Sequence, residues 1–262
     1  MTERTESRIP LPRPDDKVVI AYLSPGMVNH EFHECLLQLA MADAYAGVRR
    51  LADGGGRLAI KASANLAGPR NEAVRIFLEQ TQAPWFLWLD TDMTFEVDLL
   101  ERLMAVADPE RAPIVGGLCF GIDHGIVSPT LYDFAEVDGQ PEVVRYNTYP
   151  LNAVMPVAAT GTACLLIHRS VFVRMAAEPP TTPGFSAAYP WFQEREFGKK
   201  MVSEDITFCW RAGLLGYPLF VNTGAKLGHE KTQLLTEDTY LAQLDAFKRA
   251  AAAEPDEVRA DG

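Results

Sequence analysis

"PWFLWLDTDMTFEVDLL", residues 84–100, decides how this chain is read. Five apolar residues, Trp85 to Leu89, run straight into Asp90 and Asp92, and a helix-like pattern follows. A short continuous apolar run bounded by turn signals marks a strand buried on both faces. Its carboxyl end is where open α/β sheets bind ligands. Side chains at i and i+2 of an extended segment point the same way, so Asp90 and Asp92 are expected to address one site. Oxygen donors of this kind suit Mg2+ or Mn2+, which keep positions open for phosphate oxygens. The plain alternative is a polar turn, since Asp is common in turns.

Strand and helix signals alternate on either side of this stretch. "KVVIAYL" (17–23) is a buried-strand run. Residues 32–52 have helical spacing, with the glycines 54–56 as a stop signal. "RLAIKA" (57–62) is a second strand, 68–81 a helix opened by Pro69, 96–107 a third helix and 112–120 a fourth strand. This order predicts a parallel sheet with helices on both faces. After residue 120 the rhythm changes. Strand-like pieces at 127–134, 142–147 and 154–158 predict antiparallel additions to the same sheet. A Pro/Gly/aromatic loop spans 178–200, long enough to suggest a functional role. A helix is expected over 203–216, a strand over 217–223 and a last helix over 236–253. Residues 1–16 read as a disordered arm and 254–262 as a frayed tail. A single domain over 17–253 results, with a regular first half (17–120) and a mixed second half (121–253).

Composition narrows the function. The chain has 262 residues, 48% of them hydrophobic, which is enough for a sizeable core. A formal net charge of −11 offers no basic footprint for nucleic acid. An acidic protein that handles an anion must neutralise it locally. Cys35, Cys119, Cys164 and Cys209 lie far apart in apolar contexts, as expected of buried free thiols in a reducing cytoplasm. No apolar leader opens the sequence, and no stretch nears the ~18 apolar residues of a membrane span. A cytoplasmic protein without integral membrane contact is the expectation.

Two chemistries compete for the aspartates. Read as Asp90, Asp92 and Thr94, the motif matches haloacid-dehalogenase-like phosphatases, which phosphorylate the first Asp. Two strand–helix units precede it here, however, and the acidic pair Glu204-Asp205 comes before Lys226, the wrong order for that family. Read as DxD, it matches sugar-nucleotide transferases. Together, "VVIAYLSPGMV", "GPRNEAVRIFL", "APWFLWLDTDMTFEVDLLERL", "GTACLLIHRSVF" and "SEDITFCWRAGLLGYPLFVNTGAKLGHEKT" resemble GT-A-fold glycosyltransferases, especially family-2-like enzymes, over residues 17–235.

The resemblance implies a nucleotide-binding half (17–120), an acceptor-binding half (121–253) and roles for particular residues. Ser24, Pro25 and Gly26 would contact the nucleotide, although Pro-Gly makes a plain turn in any case. Arg70 and Asn71 would lie beside the nucleotide and Asp90. A cation in the first turn opposes the helix dipole, so Arg70 needs an outside partner, and a diphosphate is one. Asn71 could orient Asp90. Asp92 would be the firmer metal ligand, with Asp90 on the ribose or on the metal through water. His229 matches a third ligand near the chain end, and Mn2+ accepts imidazole. His30, His33, His124 and His168 read as structural or surface residues. Asp205 would be the base that deprotonates the acceptor, with Glu204 positioning it. Ser203 as N-cap with acids in the first turn would explain the same residues structurally. Gly161 and Thr162 would line the donor–acceptor junction. Trp191 and Phe192 would either stack on a sugar or pin the loop.

The implied function is metal-dependent transfer of one sugar from a nucleoside-diphosphate sugar, UDP most commonly, to a hydroxyl of a glycan, metabolite or protein. Inversion is favoured. No "QxxRW" motif of processive synthases is present. The alternatives are a nucleotidyltransferase, the phosphatase, and a sugar-nucleotide-binding domain without turnover. Oligomeric state is not legible.

Overall fold

The structure, a computed structural model, describes residues 16–53, 56–62, 65–123, 126–178, 190–231 and 241. Residues 1–230 form one unit and 231–262 a second. The expected N-terminal arm, apart from Asp16, the last helix, apart from Leu241, and the C-terminal tail lie outside the described residues, as does His124. The first unit contains the sheets and the candidate site.

Its strands, in chain order, are β1 (Val18–Ser24), β2 (Arg57–Lys61), β3 (Trp85–Leu89), β4 (Met93–Phe95), β5 (Ile114–Leu118), β6 (Phe120–Asp123), β7 (Ile126–Pro129), β8 (Leu131–Val137), β9 (Gln140–Arg145), β10 (Val154–Pro156), β11 (Ala159–Thr160), β12 (Cys164–His168), β13 (Arg195–Phe197), β14 (Lys200–Val202) and β15 (Leu219–His229). The helices are α1 (His30–Tyr45), α2 (Ala67–Gln80), α3 (Leu99–Met104), α4 (Arg169–Ala177) and α5 (Glu204–Leu214).

The main sheet runs β10-β15-β5-β12-β3-β1-β2, and β4 pairs with β15. β3 is buried on both faces, as its sequence predicts. Alternate residues serve two cores. Phe86 and Trp88 pack with Val74, Phe77, Phe172 and Phe208 from α2, α4 and α5. Trp85, Leu87 and Leu89 pack with Phe32, Leu36, Leu99 and Leu103 from α1 and α3. Helices thus cover both faces of a mixed α/β sheet. Among the described residues, no helix is long and apolar enough to cross a membrane.

The structure corrects several boundaries. β3 and β5 are not neighbours: β12 lies between them, antiparallel to both, with Leu166 opposite Leu87 and Val115. Of the later antiparallel pieces, β10 and β12 join the main sheet, whereas β6 with β7, β8 with β9 and β11, and β13 with β14 form sheets of their own. α1 ends at Tyr45, not at 52. The backbone of 50–52 pairs with β1 instead: Val18 N–H donates to the Arg50 carbonyl and Ala52 N–H to that of Val18. The buried Arg50 guanidinium meets both Glu101 oxygens at 2.9 Å, anchoring this segment outside the helix. The described end of the 178–200 loop contains the β13–β14 hairpin.

The largest correction is β15. It runs eleven residues, well past Thr223. It pairs parallel with β5, shifts register between Asn222 and Lys226, then pairs antiparallel with β4, with His229 opposite Met93. The change of partner lets one strand leave β5 and reach the turn after β3.

Candidate functional site

Asp90 and Asp92 do not sit on an extended segment. Met93 N–H donates to the Asp90 carbonyl at 3.2 Å, closing a turn over 90–93. Thr91 ties this turn to the first loop: its carbonyl accepts from Asn29 N–H and its hydroxyl reaches the Leu23 carbonyl. The shared orientation expected of i and i+2 is lost, and the two carboxylates go to different partners.

Asp92 Oδ2 lies 3.0 Å from His229 Nε2. The other ring nitrogen, Nδ1, is 2.7 Å from the Phe120 carbonyl. A carbonyl only accepts, so Nδ1 carries the hydrogen. In the neutral ring, Nε2 then turns a lone pair toward a carboxylate oxygen. Only a positive species between them, a proton or a metal ion, makes that contact favourable. A backbone carbonyl fixing the tautomer of a histidine is the usual support behind a metal-binding imidazole.

Asp90 faces the other wall. Its Oδ1 is 3.4 Å from Arg70 Nη2. Arg70, 3% exposed, also donates through Nε to Glu204 Oε1 at 3.0 Å and lies over the Trp88 ring at 4.9 Å. Its Nη1 is buried without a hydrogen-bond partner. Burial works against its charge, but Asp90, Glu204 and Asp205 outweigh burial and hold its pKa above the ordinary arginine value.

Glu204 and Asp205 open α5. The cap expected of Ser203 is absent: its hydroxyl donates to Asp205 Oδ1, which also accepts from Ile206 N–H at 2.8 Å. Asp205 Oδ2 carries no hydrogen bond among the described residues. It faces Gly161, where a Cβ would lie 3.4 Å away. Burial, and then the neighbouring Glu204, push the Asp205 carboxyl above the usual carboxylate range against the pull of Ser203, Arg70 and Ile206. Thr162 is buried beside Gly161 with its hydroxyl unpartnered.

The β1–α1 loop is open at the carboxyl end of β1. Gly26 N–H donates to Ser24 Oγ at 3.2 Å, Pro25 and Gly26 are exposed, and Gly26 takes φ +113°, a conformation that favours glycine.

Three readings are corrected. Asn71 does not orient Asp90: its Oδ1 accepts from Trp191 and Phe192 N–H, and its Nδ2 donates to the Phe192 carbonyl. Phe192 is fully buried, stacked on Phe208 at 4.8 Å and edge-on to Trp88. Trp191 is buried as well and donates through Nε1 to the Phe172 carbonyl. These aromatics pin the loop and offer no ring to an acceptor. Asp90, Asp92 and His229 are not one ligand triad: among the described residues, no group of three His, Cys, Asp or Glu is placed to hold a metal. His168 is structural, accepting from Ser170 N–H as the N-cap of α4. A cavity of about 690 Å³ lies at the opposite end of the sheet, lined by Lys17, Arg57 and Gln80 among others, and contains none of the site carboxylates.

Sequence reasoning missed the Arg70–Glu204 contact and the Phe120 carbonyl. The first had a signal, a cation in the first turn of a helix that needed an outside partner. The second had none.

No family model matches the chain, and no curated protein matches it. Among solved structures, it is similar to GalNAc-T7 crystallised with UDP, GalNAc and Mn2+, with a TM-score of 0.52 and 11% identity over 83% of this chain and 43% of that one. It also aligns with A197 from STIV, with a TM-score of 0.47 and 14% identity over 84% of this chain and 97% of that one. The fold is similar to that of a GT-A glycosyltransferase.

Proposed function

We propose that the chain is a metal-dependent glycosyltransferase that moves one sugar from a nucleoside-diphosphate sugar to an acceptor hydroxyl. The observation that carries this reading is the Asp92–His229 pair: with Nδ1 committed to Phe120, a carboxylate oxygen and an imidazole nitrogen converge at 3.0 Å, where a metal ion can take the place of the proton that otherwise joins them. A carboxylate oxygen and an imidazole nitrogen fit Mn2+, and fit Mg2+ less well because it prefers oxygen. With two protein ligands, positions stay open for phosphate oxygens. When bound, the ion supplies positive charge against that developing on a departing diphosphate.

The chain's own groups would do the rest. The Ser24–Gly26 loop would face the nucleotide, with Asp90, held by Arg70, beside it. Asp205 Oδ2 takes the acceptor's proton as that oxygen bonds to the anomeric carbon. The carbon–oxygen bond to the diphosphate breaks, and the leaving group keeps the electron pair. A carboxylate with a raised pKa is the better base for this step. Attack from the face opposite the diphosphate inverts the anomeric centre. UDP is the first donor to try, because the similar GalNAc-T7 structure contains UDP and Mn2+.

The test is a thermal-shift panel of UDP-, GDP- and dTDP-sugars with and without Mn2+, followed by donor hydrolysis. A ligand that binds only the folded state raises its apparent stability. A Mn2+-dependent shift with slow hydrolysis supports the enzyme, binding without any turnover identifies a sugar-nucleotide-binding domain, and no shift with any donor refutes both.

A further inference from the structure

We propose that Arg70 is a positioning residue that ties Asp90, at the metal side of the site, to Glu204, at the acceptor side, and is not a ligand of the donor's diphosphate. The proposal rests on the glycosyltransferase reading of the site.

The guanidinium is already engaged on three sides. Glu204 takes Nε, Asp90 takes Nη2, and the Trp88 ring lies beneath. Its side chain is 4% exposed, and its remaining Nη1 is buried from solvent. A diphosphate arriving from water would have to displace a carboxylate and enter the core. The same burial suits a tether. Asp90, Glu204 and Asp205 surround one cation, and without it three like charges would drive the turn after β3 and the first turn of α5 apart. Glu204 directly precedes Asp205, so fixing the first fixes the helix turn that aims Asp205 Oδ2 at Gly161. Arg70 therefore holds the two halves of the chemistry at a set separation. Small displacements of reacting groups are costly, on the order of 10²-fold for about 1 Å.

Two measurements test this. In the first, Arg70→Lys keeps the charge but loses the fork that bonds two carboxylates at once. UDP affinity with Mn2+, by calorimetry, is expected to stay within about threefold of wild type. Turnover in UDP-GalNAc hydrolysis should fall on the order of 10²-fold. A tenfold or greater loss of UDP affinity with turnover unchanged would make Arg70 a diphosphate ligand and overturn the proposal. In the second, Arg70→Met, Glu204→Gln and the double variant are unfolded in urea. The double variant's loss in folding constant should be at least about tenfold smaller than the product of the two single losses. Additive losses overturn the tether. If wild-type protein binds no UDP with Mn2+, the glycosyltransferase reading fails by itself, and the urea cycle still decides the tether.

Discussion

His229 Nε2 and Asp92 Oδ2 lie 3.0 Å apart although 137 residues separate them in the chain. One short pairing brings them together, β4 directly after the aspartate turn and the far end of β15 against it. The contact is therefore built by backbone and depends on little else.

Removing either side chain should uncouple the metal from the nucleotide. Asp92→Ala is expected to abolish the Mn2+-dependent part of the UDP thermal shift, and His229→Ala to weaken Mn2+ affinity at least about tenfold. A full Mn2+-dependent shift in Asp92→Ala would rule this pair out as the metal site.

Gly228 is where the pairing has no slack. A Cβ there would strike Thr94 Oγ1 across the β4–β15 ladder. Gly228→Ala should cost about 1–3 kcal/mol and weaken Mn2+ binding through the displaced His229. Adding Thr94→Ala removes the obstructing oxygen and should restore most of both, as read by urea unfolding and calorimetry.

Asp205 should cost stability where it is ionised. Its folded pKa is raised, chiefly by burial and then by Glu204. Between the unfolded value of 3.8 and the folded value, the native state binds more protons, so stability falls as pH rises through that window. Asp205→Asn should therefore melt higher than wild type at neutral pH. The difference should shrink as pH falls through the folded pKa and vanish below about 3.8. Turnover should drop by about 10²–10⁴-fold.

His168 gives the opposite slope. Burial, and then Arg169, depress its pKa below the ordinary value of 6.5, and its ring accepts a hydrogen bond as the α4 cap. Here the unfolded state takes up more protons. The stabilisation is complete above about pH 6.5 and is lost as pH falls through the folded pKa. His168→Asn, which keeps a capping acceptor, should flatten melting temperature against pH in that interval.

Phe192 should behave as core. Phe192→Ala removes a ring packed between Phe208 and Trp88 and is expected to cost about 3–5 kcal/mol in urea unfolding. A neutral effect on stability would mean that the ring is not packed as described.

Much of the architecture was legible because it rests on local pattern. The continuous apolar runs of β1 and β3 mark strands covered on both faces, and the helical spacing of α2 places it between two of them. Pairing partners are not local. Cys164–His168 is a short apolar run, but nothing in it says that it forms a strand inserted between β3 and β5. The spacing over 32–52 continues as a helix on paper, while Arg50 finds Glu101 and its backbone pairs with β1. Within the site, the aspartates, His229, Glu204 and Asp205 stand out by type and position. Their partners do not, because a turn redirected the two aspartates and because Trp191 and Phe192 look alike as loop aromatics whether buried or bare.

The insertion of β12 between β3 and β5 bears on how the chain is made. Synthesised from its N-terminus, the polypeptide presents β3 and β5 with an open ladder between them until residues 164–168 emerge. A fragment that stops near residue 120 therefore leaves one edge of β3 and both edges of β5 unpaired, the kind of hydrophobic surface that aggregates. The first half of the chain is not an autonomous folding unit, and soluble protein should appear only when translation continues through β12.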